Sequence, residues 1–278
     1  MLLAHELVAP EGPAPERWML FLHGMLGRRI NWRSFARRWV RARPGWGAVL
    51  VDLRGHGDSQ GLPGPWTVAA AGADLVPLAE AVRQEQGGRV AGVLGHSFGG
   101  KVAIVAAAEL EALEELWIID APPGPRTQPR DRSTERIFAL LERLPERFAS
   151  RSEFIEAVVE AGVARSVAQW LATNLVEVEV EDEESSWRFG PPLDRLRALL
   201  EDFAKVDLWP SLVAVAAAGT QVTLVLGGRS SAVFGEELER AEGLAAAGRI
   251  ALELIEGAGH WVHVDRPDAL LAALCASK

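Results

Sequence analysis

Short apolar segments alternate with longer helical patterns along the chain, and this alternation limits the possible folds more than any other feature. The apolar segments lie at residues 18–22, 48–52, 90–94, 116–120, 221–226 and 250–255. Continuous apolar strands separated by helices are typical of a parallel sheet that helices cover on both faces. The sequence therefore predicts an α/β protein with a mostly parallel, doubly wound sheet.

A long stretch between the fourth and fifth apolar segments has a different character. It opens with prolines at 122–125 and continues with amphipathic helical patterns at 133–144, 152–164, 166–175 and 193–203. We predict a mainly helical cap at residues 123–210, inserted into a core that is formed by residues 1–122 and 211–278. The acidic run at 177–184 is expected to be a solvated face of this cap.

Composition narrows the function classes. The 278 residues carry a net charge of −9, which disfavours nucleic acid or an anionic membrane surface as the main partner. The single cysteine, Cys275, excludes an intrachain disulfide and a thiolate zinc site. No apolar run approaches the roughly 18 residues of a membrane span, and the first residues lack the pattern of a signal peptide. We expect a cytoplasmic protein, with its oligomeric state left open.

The strongest motif is the segment Gly95-His96-Ser97-Phe98-Gly99. A bare G-x-S-x-G pattern is a weak signal, but this one lies between an apolar strand and an alanine-rich helix, where a nucleophile elbow belongs. Small residues on either side permit the sharp turn that exposes the serine hydroxyl. The sequence predicts Ser97 as a nucleophile; the alternative is a strand-to-helix turn without chemistry.

A second glycine-containing loop, at residues 23–27, directly follows the first apolar strand. Here the backbone N–H of Met25, with that of Phe98 after the nucleophile, would stabilise a tetrahedral oxyanion. His23 and Gly24 are expected to support this loop. An ordinary tight turn is the alternative.

His260 follows the last strand and precedes the last helix, so it reaches the same edge of the sheet as Ser97. The glycines before it allow a turn into the site, and we predict it as the general base. His263 is expected to face the surface or to support packing. His23, His56 and His96 precede the nucleophile and suit supporting roles.

The acid that orients the histidine is less obvious, because residues 227–235 after the fifth apolar segment contain no carboxylate. Asp120, at the end of the strand expected beside that of Ser97, could reach the imidazole N–H. Ser230 could add a hydrogen bond to the Asp120–His260 pair. We favour Asp120 and keep Glu236 as the alternative.

These segments together resemble the α/β-hydrolase superfamily, and in particular small bacterial carboxylesterases whose triad acid follows strand six. The resemblance rests on the motifs at 23–24, 52–59, 95–101, 119–123, 187–189, 227–230 and 260–263. It implies an α/β-hydrolase fold with a helical cap after strand six, and a triad of Ser97, Asp120 and His260 with Ser230 as a fourth participant. Residues 229–232 lack an aromatic residue that this subgroup often has.

The expected function is hydrolysis of carboxylic esters of small or medium acyl chains, through an acyl-enzyme and without a metal or an organic cofactor. Thioester hydrolysis uses the same groups and stays open. So does a lyase of the menaquinone-pathway type, which Arg54, Arg188 and Arg229 keep in consideration. A catalytically silent small-molecule receptor is a further alternative.

The natural substrate is not evident from the sequence beyond a small-molecule ester. An apolar acyl site is suggested by Met25, Trp32, Phe98, Trp170, Trp187 and Trp261. Of these, Trp32, Trp187 and Trp261 are predicted to form the substrate-binding wall. Since tryptophans are also ordinary core residues, packing inside the protein is the alternative for each.

Overall fold

The computed structural model describes residues 1–126, 133–179 and 185–276. Its strands are β1 (His5–Val8), β2 (Arg17–Leu22), β3 (Trp46–Val51), β4 (Arg89–His96), β5 (Glu115–Ile119), β6 (Leu175–Val178), β7 (Ser186–Phe189), β8 (Gln221–Gly227) and β9 (Ala251–Ile255). Seven of them form one sheet in the order β1-β3-β2-β4-β5-β8-β9, and β6 and β7 form a separate hairpin. All neighbours in the large sheet are parallel except β1 and β3.

The helices pack on both faces of the large sheet. They are α1 (Arg33–Ala42), α2 (Val68–Ala73), α3 (Leu75–Gln86), α4 (Phe98–Glu109), α5 (Ser133–Leu141), α6 (Arg151–Glu160), α7 (Arg165–Leu171), α8 (Leu193–Lys205), α9 (Trp209–Ala217), α10 (Glu236–Ala246), α11 (Val262–Asp265) and α12 (Pro267–Ala276). Helices α1 and α12 share one apolar core with one face of the sheet, and α2, α3, α4 and α9 belong to the core on the other face.

This architecture confirms the predicted α/β-hydrolase fold with a mostly parallel sheet. All six predicted strands are present; β2, β3, β4, β5 and β8 are almost fully buried between the two helical layers, and β9 lies at the sheet edge with Glu253 and Leu254 exposed. The strand counted as strand six in the family resemblance is β5 in this chain. Strand β1 was not predicted, since its sequence HELV lacks an apolar run and its residues are only half-buried at the sheet edge.

The segment between β5 and α9 contains α5 to α8 and the β6–β7 hairpin, and it is called the insertion below. An aromatic cluster packs its parts together: Phe154 contacts Phe148 at 5.2 Å and Phe189 at 6.4 Å between ring centroids. In the acidic run, Glu177 and Glu179 are exposed, and residues 180–184 lie outside the described residues. The predicted boundary between residues 210 and 211 falls within α9, which packs against α4.

Lys101 joins the insertion to α4, the helix that follows Ser97. Its side chain is fully buried, and its Nζ donates hydrogen bonds to the carbonyl oxygens of Gly124, Phe203 and Val206 at 2.7–2.9 Å. Burial lowers the pKa of Lys101 to about 8, so the ammonium still carries three N–H donors at neutral pH. One side chain of α4 therefore contacts both ends of the insertion.

Candidate active site

Ser97 occupies the sharp turn between β4 and α4. Its φ of 52° and ψ of −117° lie outside the regions that most residues adopt. The turn requires glycine nearby: a Cβ on Gly95 would lie 2.0 Å from the Gly99 oxygen, and one on Gly99 would lie 2.6 Å from the His23 oxygen. The hydroxyl consequently stands at the N-terminus of α4, where the helix dipole favours negative charge.

Three side chains from three different loops form a continuous hydrogen-bonded row. The Ser97 Oγ lies 3.0 Å from Nε2 of His260, and Nδ1 of His260 lies 2.6 Å from Oδ2 of Asp120. The structure thus brings together the serine, histidine and aspartate that the sequence predicted as a set.

Asp120 is held by further donors at the end of β5. It is 1% exposed, and it accepts hydrogen bonds from the Gly227 N–H at 3.0 Å and the Ser230 hydroxyl at 2.5 Å. With His260, this makes three donors for one buried carboxylate, which fix its position and orientation. Glu236, the alternative acid, is exposed at the start of α10 and lines a different cavity.

The loop after β2 contributes backbone N–H groups beside Ser97. Phe98 is the first residue of α4, so its N–H has no acceptor within the helix. Met25 lines the same cavity as Ser97. Across the described ranges, neither N–H has a hydrogen-bond acceptor. Both are therefore available to a ligand.

Two buried histidines fix this loop in place. His23 donates from Nδ1 to the Gly24 oxygen at 2.8 Å and accepts at Nε2 from the Leu53 N–H at 3.1 Å. His56 accepts at Nε2 from the Leu26 N–H at 3.2 Å. Burial lowers the pKa of His23 to about 4 and that of His56 to about 3. Each ring is thus neutral at physiological pH, as a residue that both donates and accepts must be.

His96 connects the nucleophile turn to the loop that carries His260. Its Nε2 donates to the backbone oxygen of His260 at 2.8 Å, and burial holds its pKa well below the usual range. His263 packs on Trp32 with 4.3 Å between ring centroids and also lines the cavity at Ser97. The contact with Trp32 agrees with the packing role predicted for His263. Its position in the cavity wall was not predicted.

Ser97 and His260 border two cavities. The first, about 150 Å³, is called the aromatic cavity; it is lined by His23, Gly24, Met25, Leu26, Gly27, Asn31, Trp32, His96, Ser97, Ser133, Thr134, Ile137, Val167, Trp170, His260, Trp261 and His263. The second, about 140 Å³, is called the arginine cavity; it is lined by Ser97, Asp120, Pro122, Arg126, Ser133, Thr134, Phe203, Arg229, Ser230, Ser231, Ala232 and His260.

The predicted tryptophan wall is partly wrong. Trp32 and Trp261 line the aromatic cavity, but Trp187 lines neither cavity. Trp187 belongs to β7, where it pairs with Phe148 and lies under the Arg151 guanidinium, so it packs within the insertion. Trp170, also expected at the acyl site, does line the aromatic cavity, and its ring meets that of Trp261 edge-on at 4.5 Å.

Among the described residues, no group of three or more histidine, cysteine or carboxylate side chains is arranged to hold a metal ion. Within the same residues, every helix is too short or too polar to cross a membrane.

Comparisons with known proteins agree with the α/β-hydrolase fold. A model of the alpha/beta hydrolase family matches residues 19–273. Mouse sn-1-specific diacylglycerol lipase ABHD11 is 31% identical over 274 residues, which are 95% of this chain and 81% of that protein. Esterase YbfF of Escherichia coli strain K12 is 28% identical over 258 residues, covering 92% of this chain and 91% of that protein. A solved marine microorganism esterase shares the fold with a TM-score of 0.78 at 20% identity, covering 98% of this chain and 97% of that one.

Proposed function

The chain belongs to the alpha/beta hydrolase family and is a hydrolase, and we propose that it cleaves carboxylic esters of small or medium acyl chains with a triad of Ser97, His260 and Asp120. The observation that carries this proposal is the hydrogen-bonded row from Ser97 through His260 to Asp120, at 3.0 and 2.6 Å. A serine next to an imidazole that a carboxylate orients is the arrangement that nucleophilic acyl transfer requires.

Acylation begins when the Ser97 Oγ attacks the ester carbonyl and Nε2 of His260 takes the hydroxyl proton. The carbonyl oxygen becomes an oxyanion, which the N–H groups of Met25 and Phe98 stabilise. Asp120 holds Nδ1–H of His260 and offsets the positive charge of the imidazolium.

The tetrahedral intermediate then collapses. The bond to the alcohol oxygen breaks, and Nε2–H of His260 gives its proton to that oxygen, leaving an ester between the acyl group and Ser97. Water attacks this ester with His260 as base, and the acid leaves as Ser97 regains its proton. Ser230 keeps the Asp120 carboxylate in place throughout, since its hydroxyl donates to the same oxygen as His260.

The aromatic cavity supports a short or medium acyl chain, because about 150 Å³ of space lies between apolar side chains beside Ser97. The insertion supplies Ile137 from α5 and Val167 and Trp170 from α7. We therefore assign residues 123–210 to a cap that sets the acyl preference, over a core of residues 1–122 and 211–278. A cytoplasmic location and a small-molecule ester as the partner stay predictions.

Thioester hydrolysis needs the same groups and is the second candidate. The lyase alternative has less support: a 2-succinyl-6-hydroxy-2,4-cyclohexadiene-1-carboxylate synthase from Serratia proteamaculans is 32% identical, but over only 42% of this chain. Of the arginines that kept it in consideration, Arg54 is paired with Asp74 and Arg188 lies in the β6–β7 hairpin. Of these three arginines, Arg229 alone is in the lining of a cavity that Ser97 also lines, among the described residues.

The test is hydrolysis of p-nitrophenyl esters from acetate to palmitate by the wild type, Ser97→Ala and Ser34→Ala, an exposed serine of α1 that serves as the matched control. Diacylglycerols are included because the mouse relative is named a diacylglycerol lipase. We expect turnover with an optimum at short or medium chains, lost in Ser97→Ala and retained in Ser34→Ala. A folded wild type that cleaves none of these esters, but cleaves acyl thioesters, would replace the ester proposal with the thioester one.

A further inference from the structure

The arginine cavity has a positive wall that the proposed acyl transfer does not use. Arg229 and Arg126 both line it, together with the hydroxyl groups of Thr134 and Ser231. Within the described ranges, the one carboxylate in its lining is Asp120. As far as the structure describes the chain, the lining thus has two guanidinium groups for one carboxylate.

The Asp120 carboxylate already accepts hydrogen bonds from three other groups. One oxygen of Asp120 accepts from the Gly227 N–H, and the other accepts from Ser230 and His260. The Arg229 side chain has no hydrogen-bond or ion-pair partner in the part of the chain that the structure describes. Among the described residues, no carboxylate therefore neutralises its positive charge beside Ser97.

The backbone on either side of Arg229 is firmly held. The Arg229 N–H donates to the Ala258 oxygen at 2.8 Å, in the loop that leads to His260, and the Gly228 N–H donates to the Ile255 oxygen at 3.0 Å. The exposed Arg229 side chain is thus attached to a hydrogen-bonded backbone beside the proposed triad. Arg126 is half-buried and already interacts with another group of the protein. Its positive charge is therefore secondary to that of Arg229 in this cavity.

We propose that the arginine cavity is a subsite for a carboxylate carried by the ester substrate, with Arg229 as its main anchor. This inference rests on the proposed ester hydrolysis and specifies its substrate class. A guanidinium presents two parallel N–H donors that match a carboxylate, and hydroxyl groups in the same wall can donate further hydrogen bonds. Because the net charge of −9 opposes the approach of anions, a local cation is needed to hold one next to Ser97.

Two pairs of substrates test this subsite. One pair carries the carboxylate on the acyl side of the scissile bond, and the other carries it on the alcohol side. The acyl-side pair is the mono-p-nitrophenyl ester of glutaric acid and its neutral methyl ester. The alcohol-side pair is 3-carboxy-4-nitrophenyl butyrate and p-nitrophenyl butyrate. For each pair, the ratio of kcat/KM for the charged ester to that for the neutral ester is measured in the wild type, Arg229→Gln and Arg229→Lys. Arg249→Gln, at another exposed arginine, is the matched control.

We expect the ratio for one pair to fall about tenfold in Arg229→Gln, mainly through a higher KM, as for the loss of a charge-assisted hydrogen bond. Arg229→Lys should restore part of it, Arg249→Gln should leave it at the wild-type value, and added salt should lower it in the wild type. If the ratios for both pairs are the same in Arg229→Gln and the wild type, the subsite does not exist. If the wild type cleaves neither the charged nor the neutral esters, the proposed ester hydrolysis itself fails, and the inference fails with it.

Discussion

The sheet edge and the insertion meet at Ser97, but they are held in different ways. At the sheet edge, hydrogen bonds fix each group: Asp120 has three donors, and His23 and His56 each bind a backbone N–H. Hydrogen bonds such as those of Lys101 also tie the insertion to the core, but the side chains that it presents to the aromatic cavity, such as Val167 and Trp170, are held by apolar packing. The first region is suited to fixed geometry for chemistry, and the second to a cavity wall that can vary with the substrate.

Substitution of Asp120, at the sheet edge, should cause the largest loss of activity. In Asp120→Asn, the amide at this position can present an N–H to His260, which favours the tautomer without a free base at Nε2. We expect kcat on p-nitrophenyl butyrate to fall by roughly 10³–10⁴-fold with little change in KM. Glu236→Gln is the control for the alternative acid. A large loss in Glu236→Gln and a small one in Asp120→Asn would reverse the assignment.

Lys101→Met tests how the insertion is fastened. This change removes a buried cation and leaves three carbonyl oxygens without their donor, so the free energy of unfolding should fall by about 3 kcal/mol. Denaturant titration measures it, and Lys205→Met, at an exposed lysine of α8, is the control. An equal effect of the two substitutions would mean that Lys101 does not fasten the insertion.

The pH dependence of the unfolding free energy tests the two buried histidines at the sheet edge. The pKa of both His23 and His56 is lower in the folded protein than the unfolded value of about 6.5, so protonation favours the unfolded chain. Their contribution is complete above pH 6.5 and is lost as the pH falls towards 4. We expect the unfolding free energy to drop by roughly 2 kcal/mol between pH 7 and pH 5.5.

The variant His56→Asn provides the comparison for that titration, since an amide does not titrate. Its unfolding free energy should depend less steeply on pH over the same interval. An unchanged slope would show that His56 does not contribute to the acid sensitivity.

Trp170→Ala should have the smallest effect and should act on the insertion side. It removes an aromatic wall of the cavity, so the preferred p-nitrophenyl ester should shift to a longer acyl chain, by about tenfold in relative kcat/KM, the order of magnitude for one or two methylene groups. Trp187→Ala, within the same insertion but outside the cavities, is the matched control. A similar shift in Trp187→Ala would contradict the cavity assignment.

The same contrast explains what could be predicted from the sequence. The groups at the sheet edge belong to short motifs directly after strands, and parallel strands bring their carboxyl ends together, so the proximity of Ser97, Asp120 and His260 followed from topology. The cavity wall depends on contacts between distant segments, such as Trp170 with Trp261. Periodicity places a tryptophan on a helix or strand but does not identify its neighbour, and for this reason Trp187 was assigned wrongly to the substrate wall.

The central claim, that Ser97 is a nucleophile activated by His260, can be tested directly by intact-mass spectrometry after reaction with a fluorophosphonate. The wild type should gain one phosphonyl group, located on Ser97 by peptide mapping. Ser97→Ala should gain none, and His260→Gln should react far more slowly. Labelling that persists in Ser97→Ala, or a folded wild type that remains unlabelled, would contradict the account.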